Sequence, residues 1–276
     1  MHRVAANGAS IPALGFGTWE LRGATAQRLV EAALTIGYRH LDTAQMYGNE
    51  AEVGAGLRAS GLPRDEVFVT TKVWPDRFRA GDFERSVEES LRRLRLDAVD
   101  LLLLHWPSRE VPLAETMGAL NRVHAAGQAR HIGISNFTSA MIEDAVRLST
   151  APLATDQVEY HPMLSQRAVL QSCRRHGMAL TAYCPLARGR VFRDPILRRI
   201  AEEHGRGAGQ IALRWLVQQE GVVAIPRSSS EEHARSNFAI FDFELSPSQM
   251  DEIAALGAPK GRVVNVAGVA PAWDAE

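Results

Sequence analysis

Along most of this chain, short apolar runs alternate with longer stretches in which apolar residues recur every three or four positions. The short runs read as strands at 14–18, 38–41, 67–71, 98–104, 129–134, 154–157, 179–183 and 222–225. Between them the helical period predicts helices over 25–36, 49–60, 82–94, 113–126, 138–149, 165–176 and a longer region, 195–219. In 82–94, Val87, Leu91 and Leu94 mark the face that turns inward. Strands apolar throughout, each followed by an amphipathic helix, imply a parallel sheet covered on both faces. Eight such units fit an α/β fold, a single (β/α)8 TIM barrel, better than an open doubly wound sheet.

Two pieces fall outside the repeat. Asn7-Gly8 is a two-residue turn signal, so residues 4–13 read as a hairpin placed to plug the barrel bottom. Near the other end, Ser246-Pro247 with Gln249 supplies a cap, a first-turn proline and a capping-box side chain for an extra helix at 247–256. A loop-like tail, 258–276, follows. No linker or low-complexity stretch interrupts the pattern, so residues 1–276 read as one domain.

Composition narrows the classes. The 276 residues are 46% apolar, enough for a large core. A formal net charge of −1 gives no reason to expect nucleic acid or an acidic membrane as partner. Arg92, Arg93 and Arg95 lie in a helical stretch and read as a solvated face. The two cysteines, Cys173 and Cys184, build no disulfide framework and fit a reducing compartment. Residues 1–10 lack the apolar core of a signal peptide, and no apolar run approaches the ~18 residues of a membrane span. The expectation is a soluble, cytoplasmic protein.

In such a barrel the chemistry belongs at the C-terminal strand ends. Those ends carry Thr18, Asp42, Lys72, His105, Ser135-Asn136, Gln157, Tyr183 and Arg227-Ser228, with Tyr47 a few residues past Asp42. Singly, each has a plain structural reading: an ion pair, a loop anchor, a satisfied histidine. Together, an acid, a phenol, an amine and an imidazole are the parts of a proton-donating site. Lys72, held charged by Asp42, is expected to pull the Tyr47 phenol below its usual pKa of ~10. His105 is placed to orient a carbonyl oxygen. None of these groups breaks a C–H bond unaided, so a hydride donor is implied.

Tyr183 suits stacking on a flat heterocycle, and Ser135, Asn136 and Gln157 suit a carboxamide. The stretch Ile225-Pro226-Arg227-Ser228-Ser229-Ser230 sets a cation among hydroxyls just before a helix, as a phosphate site would. Gly15-x-Gly17 lacks the third glycine and following helix of a dinucleotide fingerprint, and suits a close backbone or ligand approach instead. Cys173-x-x-His176 lies on one helix without companion ligands, so no metal is expected.

Several motifs, in this order, resemble the aldo-keto reductase superfamily from the hairpin to about residue 257. They are Gly15-Phe16-Gly17-Thr18-Trp19, Asp42-Thr43-Ala44-x-Met46-Tyr47-Gly48-Asn49-Glu50, Thr71-Lys72-Val73-Trp74, His105-Trp106-Pro107, Gly133-Ile134-Ser135-Asn136-Phe137, Gln157-x-Glu159-Tyr160-His161-Pro162 and Ile225-Pro226-Arg227-Ser228. The short loop after Pro107 and the tail Val269-Ala270-Pro271-Ala272-Trp273-Asp274 look most like the bacterial 2,5-diketo-D-gluconic acid reductase branch. The resemblance implies a barrel binding NADPH without a Rossmann domain. It implies Tyr47 as proton donor, Asp42 and Lys72 as its tuning pair, and His105 as the carbonyl-orienting group.

Thr18, Asp42, Ser135, Asn136, Gln157, Tyr183, Leu186, Gly189, Arg227, Ser228, His233 and Asn237 would bind the cofactor. Trp19, Tyr47, Trp74, His105 and Trp106 would contact a small carbonyl substrate: a keto sugar, a dicarbonyl such as methylglyoxal, or an aromatic aldehyde. The branch resemblance favours a monomer. The family often has arginine where His233 stands, and histidine is only partly charged at neutral pH. The expectation is a preference for NADPH with usable NADH activity. A cofactor-sensing regulatory protein on the same barrel is the other reading, and the intact set of Asp42, Tyr47, Lys72 and His105 argues against it. A phosphate-binding isomerase is a weaker third.

Overall fold

The computed structural model describes residues 1–275, so residue 276 of the expected tail lies outside the described residues. A hairpin opens the chain, β1 (Arg3–Ala6) and β2 (Ala9–Pro12), and its turn uses positive φ at Asn7 and Gly8. Asn7 Nδ2 donates to the Leu153 and His176 carbonyls at 2.7 and 2.9 Å, which pins the hairpin to the N-terminal end of the strands. Its buried face (Val4, Ala6, Ala9, Ile11) closes the bottom of the core.

The repeat then runs β3 (Phe16–Gly17), α1 (Gly23–Ile36), β4 (His40–Asp42), α2 (Glu50–Ala59), β5 (Phe68–Val73), α3 (Asp82–Leu94) and β6 (Val99–Leu104). It continues α4 (Leu113–Ala125), β7 (Ala129–Ser135), α5 (Ser139–Leu148), β8 (Leu153–Glu159), α6 (Arg167–Arg175) and β9 (Ala179–Tyr183). Two helices, α7 (Pro195–His204) and α8 (Ala208–Gln218), precede β10 (Val222–Ala224). Finally come α9 (Glu231–Phe238) and α10 (Pro247–Ala254).

Strands β3 to β10 form one eight-stranded sheet in sequence order, every neighbouring pair parallel. The ends meet: Leu14 bridges Ala224 and Gly17 bridges Arg227, both parallel. Gly15 N donates to the Ala224 carbonyl at 2.8 Å and Gly17 N to the Pro226 carbonyl at 3.0 Å. The two glycines serve this closure. A Cβ on Gly17 would lie 3.0 Å from the Ile225 carbonyl oxygen, and one on Gly15 would lie 2.7 Å from His40 Nδ1. This is the expected (β/α)8 barrel.

Three local expectations change. The first strand is only Phe16–Gly17, because the rest of 14–18 pairs through isolated bridges. The region 195–219 is two helices. Gly205 ends α7 at φ 60°, and Gln210 Oε1 accepts from Gly207 N to open α8. Lys72 is not beyond its strand but inside β5, fully buried. Among the described residues, no helix is long and apolar enough to cross a membrane.

Candidate active site

The C-terminal ends of β4, β5 and β6 bring the ionisable groups together. Lys72 Nζ donates to Asp42 Oδ1 at 2.5 Å and to the Thr43 carbonyl at 2.8 Å, and lies 3.4 Å from the Tyr47 hydroxyl. Burial, the largest effect on Lys72, works against its charge, but Asp42 and Tyr47 outweigh it and raise the pKa. The charged ammonium form is therefore favoured. Tyr47 departs from expectation. Burial pushes its phenol above the ordinary value, and Lys72 pulls down without prevailing. Before anything reacts, the group is held as a neutral acid.

His105 follows β6 and meets Tyr47 and Trp74 edge-on, with ring centroids 5.7 and 5.0 Å apart. Burial, aided by Lys72, holds its pKa well below the usual value. The imidazole is neutral at physiological pH, and its Nδ1 is buried without a partner among the described residues.

The loop that carries Tyr47 is set by Asn49 and Glu50. Asn49 Nδ2 donates to the Thr18 and Leu21 carbonyls at 2.8 and 3.0 Å, and Thr43 Oγ1 donates to Asn49 Oδ1 at 2.8 Å. Glu50, buried, accepts from Thr71 Oγ1 at 2.6 Å and pairs with Arg93 at 2.8 Å. Both sit in the motif with Tyr47, so the signal was present. Most of their partners were not, since Thr18, Leu21, Thr71 and Arg93 lie on distant segments. Thr18 is fully buried, with its hydroxyl donated to the Asp42 carbonyl at 3.0 Å.

The amide group lies across β7, β8 and β9. Gln157 Nε2 donates to Asp42 Oδ2 at 2.8 Å. Ser135 Oγ donates to the Gln157 carbonyl at 2.7 Å, and Asn136 Nδ2 donates to the His105 carbonyl at 2.9 Å. Asn136 adopts φ 64°, a conformation asparagine tolerates. Tyr183, half-buried, donates its hydroxyl to Asn136 Oδ1 at 2.8 Å, which fixes the ring. Gln157 Oε1 and lone pairs on Ser135 and Asn136 stay available to a neutral amide.

The aromatic side is uneven. Trp19 is 40% exposed and packs 4.9 Å from the Tyr47 ring. Trp74 is half-buried. Trp106 is only 3% exposed and offers little surface of its own.

The third group stands after β10. Arg227 Nε donates to the Trp19 carbonyl at 3.1 Å, and its Nη2 pairs with Glu20 at 3.1 Å. Ser228 Oγ donates to the Ser230 carbonyl at 2.7 Å. His233 lies in the first turn of α9, capped by Ser230, and Asn237 is buried in its last turn. Leu186 and Gly189 lie in the loop after β9, where Gly189 takes φ 90°. Among the described residues, no hydrogen bond, ion pair or ring contact joins Ser228, His233 or Asn237 to the Tyr47 group; Arg227 reaches it through Trp19.

Known proteins share the pattern and fold of this chain. The pattern of the aldo/keto reductase family matches residues 13–258. The chain is 40% identical over 268 residues to methylglyoxal reductase DkgB of Escherichia coli O157:H7, spanning 96% of this chain and 100% of that one. It is 39% identical over 251 residues to the glyoxal reductase of Bacillus subtilis (strain 168), spanning 91% and 90%. Among solved structures it is similar to one provisionally described as a 2,5-diketo-D-gluconic acid reductase B. That likeness has a TM-score of 0.98 and 56% identity over 100% of this chain and 98% of that one.

Proposed function

The chain belongs to the aldo/keto reductase family of carbonyl-reducing, NAD(P)H-dependent oxidoreductases, and we propose that it reduces small aldehydes and ketones with NADPH, Tyr47 giving the proton. Keto sugars, dicarbonyls such as methylglyoxal, and aromatic aldehydes are the substrate classes. Residues 1–276 act as one domain in a monomer. The observation that carries this reading is the Lys72 ammonium, buried between Asp42 and the Tyr47 hydroxyl.

The bound cofactor supplies hydride to the carbonyl carbon. The residues present fit it: the amide and hydroxyl groups of Ser135, Asn136 and Gln157 are neutral and partly unspent, and the Tyr183 ring is anchored for stacking. Arg227 and Ser228, followed by His233 and Asn237, supply a fixed cation and hydrogen-bonding groups for a phosphate-bearing end. Arg227 offers a planar fork to a 2′-phosphate. Leu186 and Gly189, in the loop after β9, would run along the pyrophosphate.

The remaining chemistry belongs to the chain. Neutral His105 donates to the substrate oxygen and aims it at Tyr47. Tyr47 transfers its proton as charge develops there. The phenolate left behind is stabilised by Lys72, whose charge Asp42 preserves. Trp19 and Trp74, with Trp106, flank the carbonyl and exclude water. The test is a carbonyl panel run with NADPH and with NADH, following cofactor oxidation. Steady turnover of methylglyoxal or an aromatic aldehyde is expected, and silence across the panel would refute the reading.

A further inference from the structure

Glu159 ends β8 with a carboxylate that has no exposed surface. It belongs to neither the Tyr47 group nor the amide group, yet both its oxygens are occupied. Oε1 accepts from Val263 N at 2.7 Å and lies 2.9 Å from His161 Nε2. Oε2 accepts from Val264 N at 2.9 Å and lies 3.8 Å from the Arg262 guanidinium. Most of these partners come from the tail after α10. A buried carboxylate is tolerable only when hydrogen bonds replace its water. The carboxylate and this course of the tail therefore depend on each other.

The tail then runs back to the reacting end of the barrel. Arg262, beside Glu159, stacks its guanidinium 3.6 Å from the centroid of the Trp273 ring. Trp273 Nε1 donates to Asn265 Oδ1 at 3.0 Å, and its ring meets Trp106 edge-on at 6.1 Å. Trp106 directly follows His105. Two further ties hold the far end: Arg109 donates to the Ala270 carbonyl at 2.8 Å, and Asp274 accepts from Ser139 N and Oγ at 2.9 and 2.7 Å.

We propose that Glu159 is a positioning residue for substrate selectivity: by fixing residues 262–264 it seats Arg262 on Trp273 and Trp273 against Trp106. This rests on the reading of the barrel mouth as the carbonyl-reducing site. It adds that bulky aromatic carbonyls depend on the seated tail, whereas a small dicarbonyl does not.

Glu159→Gln keeps the shape but turns an amide N–H₂ toward one of the two backbone donors. KM for an aromatic aldehyde should rise about five- to tenfold, the scale of one ordinary hydrogen bond. KM for methylglyoxal, kcat and NADPH affinity should stay within about twofold. Trp273→Ala should give the same split, and the double variant should add little to either. Equal KM changes for both substrates, or none in folded Glu159→Gln, would overturn the inference while wild-type turnover left the reductase reading standing. Should Glu159→Gln fail to fold, Trp273→Ala decides, and an unchanged aromatic KM there overturns it. A wild-type protein silent on every carbonyl would instead remove the reading beneath.

Discussion

Asp42 and Gln157 stand 115 positions apart in the chain, and Gln157 Nε2 donates to Asp42 Oδ2 at 2.8 Å within the barrel mouth. The other oxygen of Asp42 holds Lys72. One buried carboxylate thus joins the Lys72–Tyr47 group at β4 and β5 to the amide group on β7 and β8. An error in either half is felt by the other, which is why substitutions at Asp42 should be costly twice over.

Asp42→Asn keeps an acceptor for Gln157 but leaves the Lys72 ammonium buried without its counter-charge. Removing one partner of a buried pair typically costs ~3–5 kcal/mol. Urea denaturation should show a loss of that order, together with slower reduction. A variant as stable as the parent would show that Lys72 is not held in the buried, charged state described here.

Tyr47→Phe removes the acid and leaves the amide group untouched. Reduction should slow by ~10²–10⁴-fold. Quenching of tryptophan fluorescence by NADPH should be nearly unchanged. In the parent, burial raises the phenol above its usual ~10. Reduction needs the protonated form, so kcat/KM should stay flat up to pH 9 and fall only at higher pH. A fall centred below pH 8 would contradict a net upward shift.

His40 is buried in β4, and burial depresses its pKa to about 4. From about pH 6.5 down to 4 the unfolded chain takes up a proton that the folded chain refuses. Stability should fall as pH drops through that window, by about 3 kcal/mol from this residue. The folded-state ring is neutral, so His40→Gln should flatten that part of the slope. Parallel denaturation midpoints for parent and variant from pH 7 to 4.5 would contradict this.

Arg227 is the fixed cation of the third group, and Glu20 already partners it. Arg227→Ala should weaken NADPH binding about tenfold and leave NADH within about twofold. In the parent, NADH efficiency should lie within about a thousandfold of NADPH, because a histidine and not an arginine stands at position 233. Titrations of both cofactors against both proteins would settle each part. Equal losses for the two cofactors would move the phosphate site elsewhere.

The sequence by itself determined the repeat. Apolar runs and helical periods are local properties, so eight strand–helix units and their order could be read directly. The order alone places Asp42, Lys72, His105, Gln157 and Tyr183 at one end of a barrel. It also showed turn and cap chemistry, such as Asn7-Gly8 and Ser246 with Gln249, because those interactions span only a few residues. The tertiary structure decided everything that depends on non-local partners and on burial. It set the direction of the Tyr47 shift, since desolvation there exceeds the pull of a single ammonium. It made Gly15 and Gly17 closure residues, through contact with β10 and the residues just after it. It gave Asn49, Glu50 and Glu159 their work, for each is defined by donors or acceptors on distant segments. Periodicity encodes which face of an element is buried; which buried charge meets which partner is fixed only when the sheet closes.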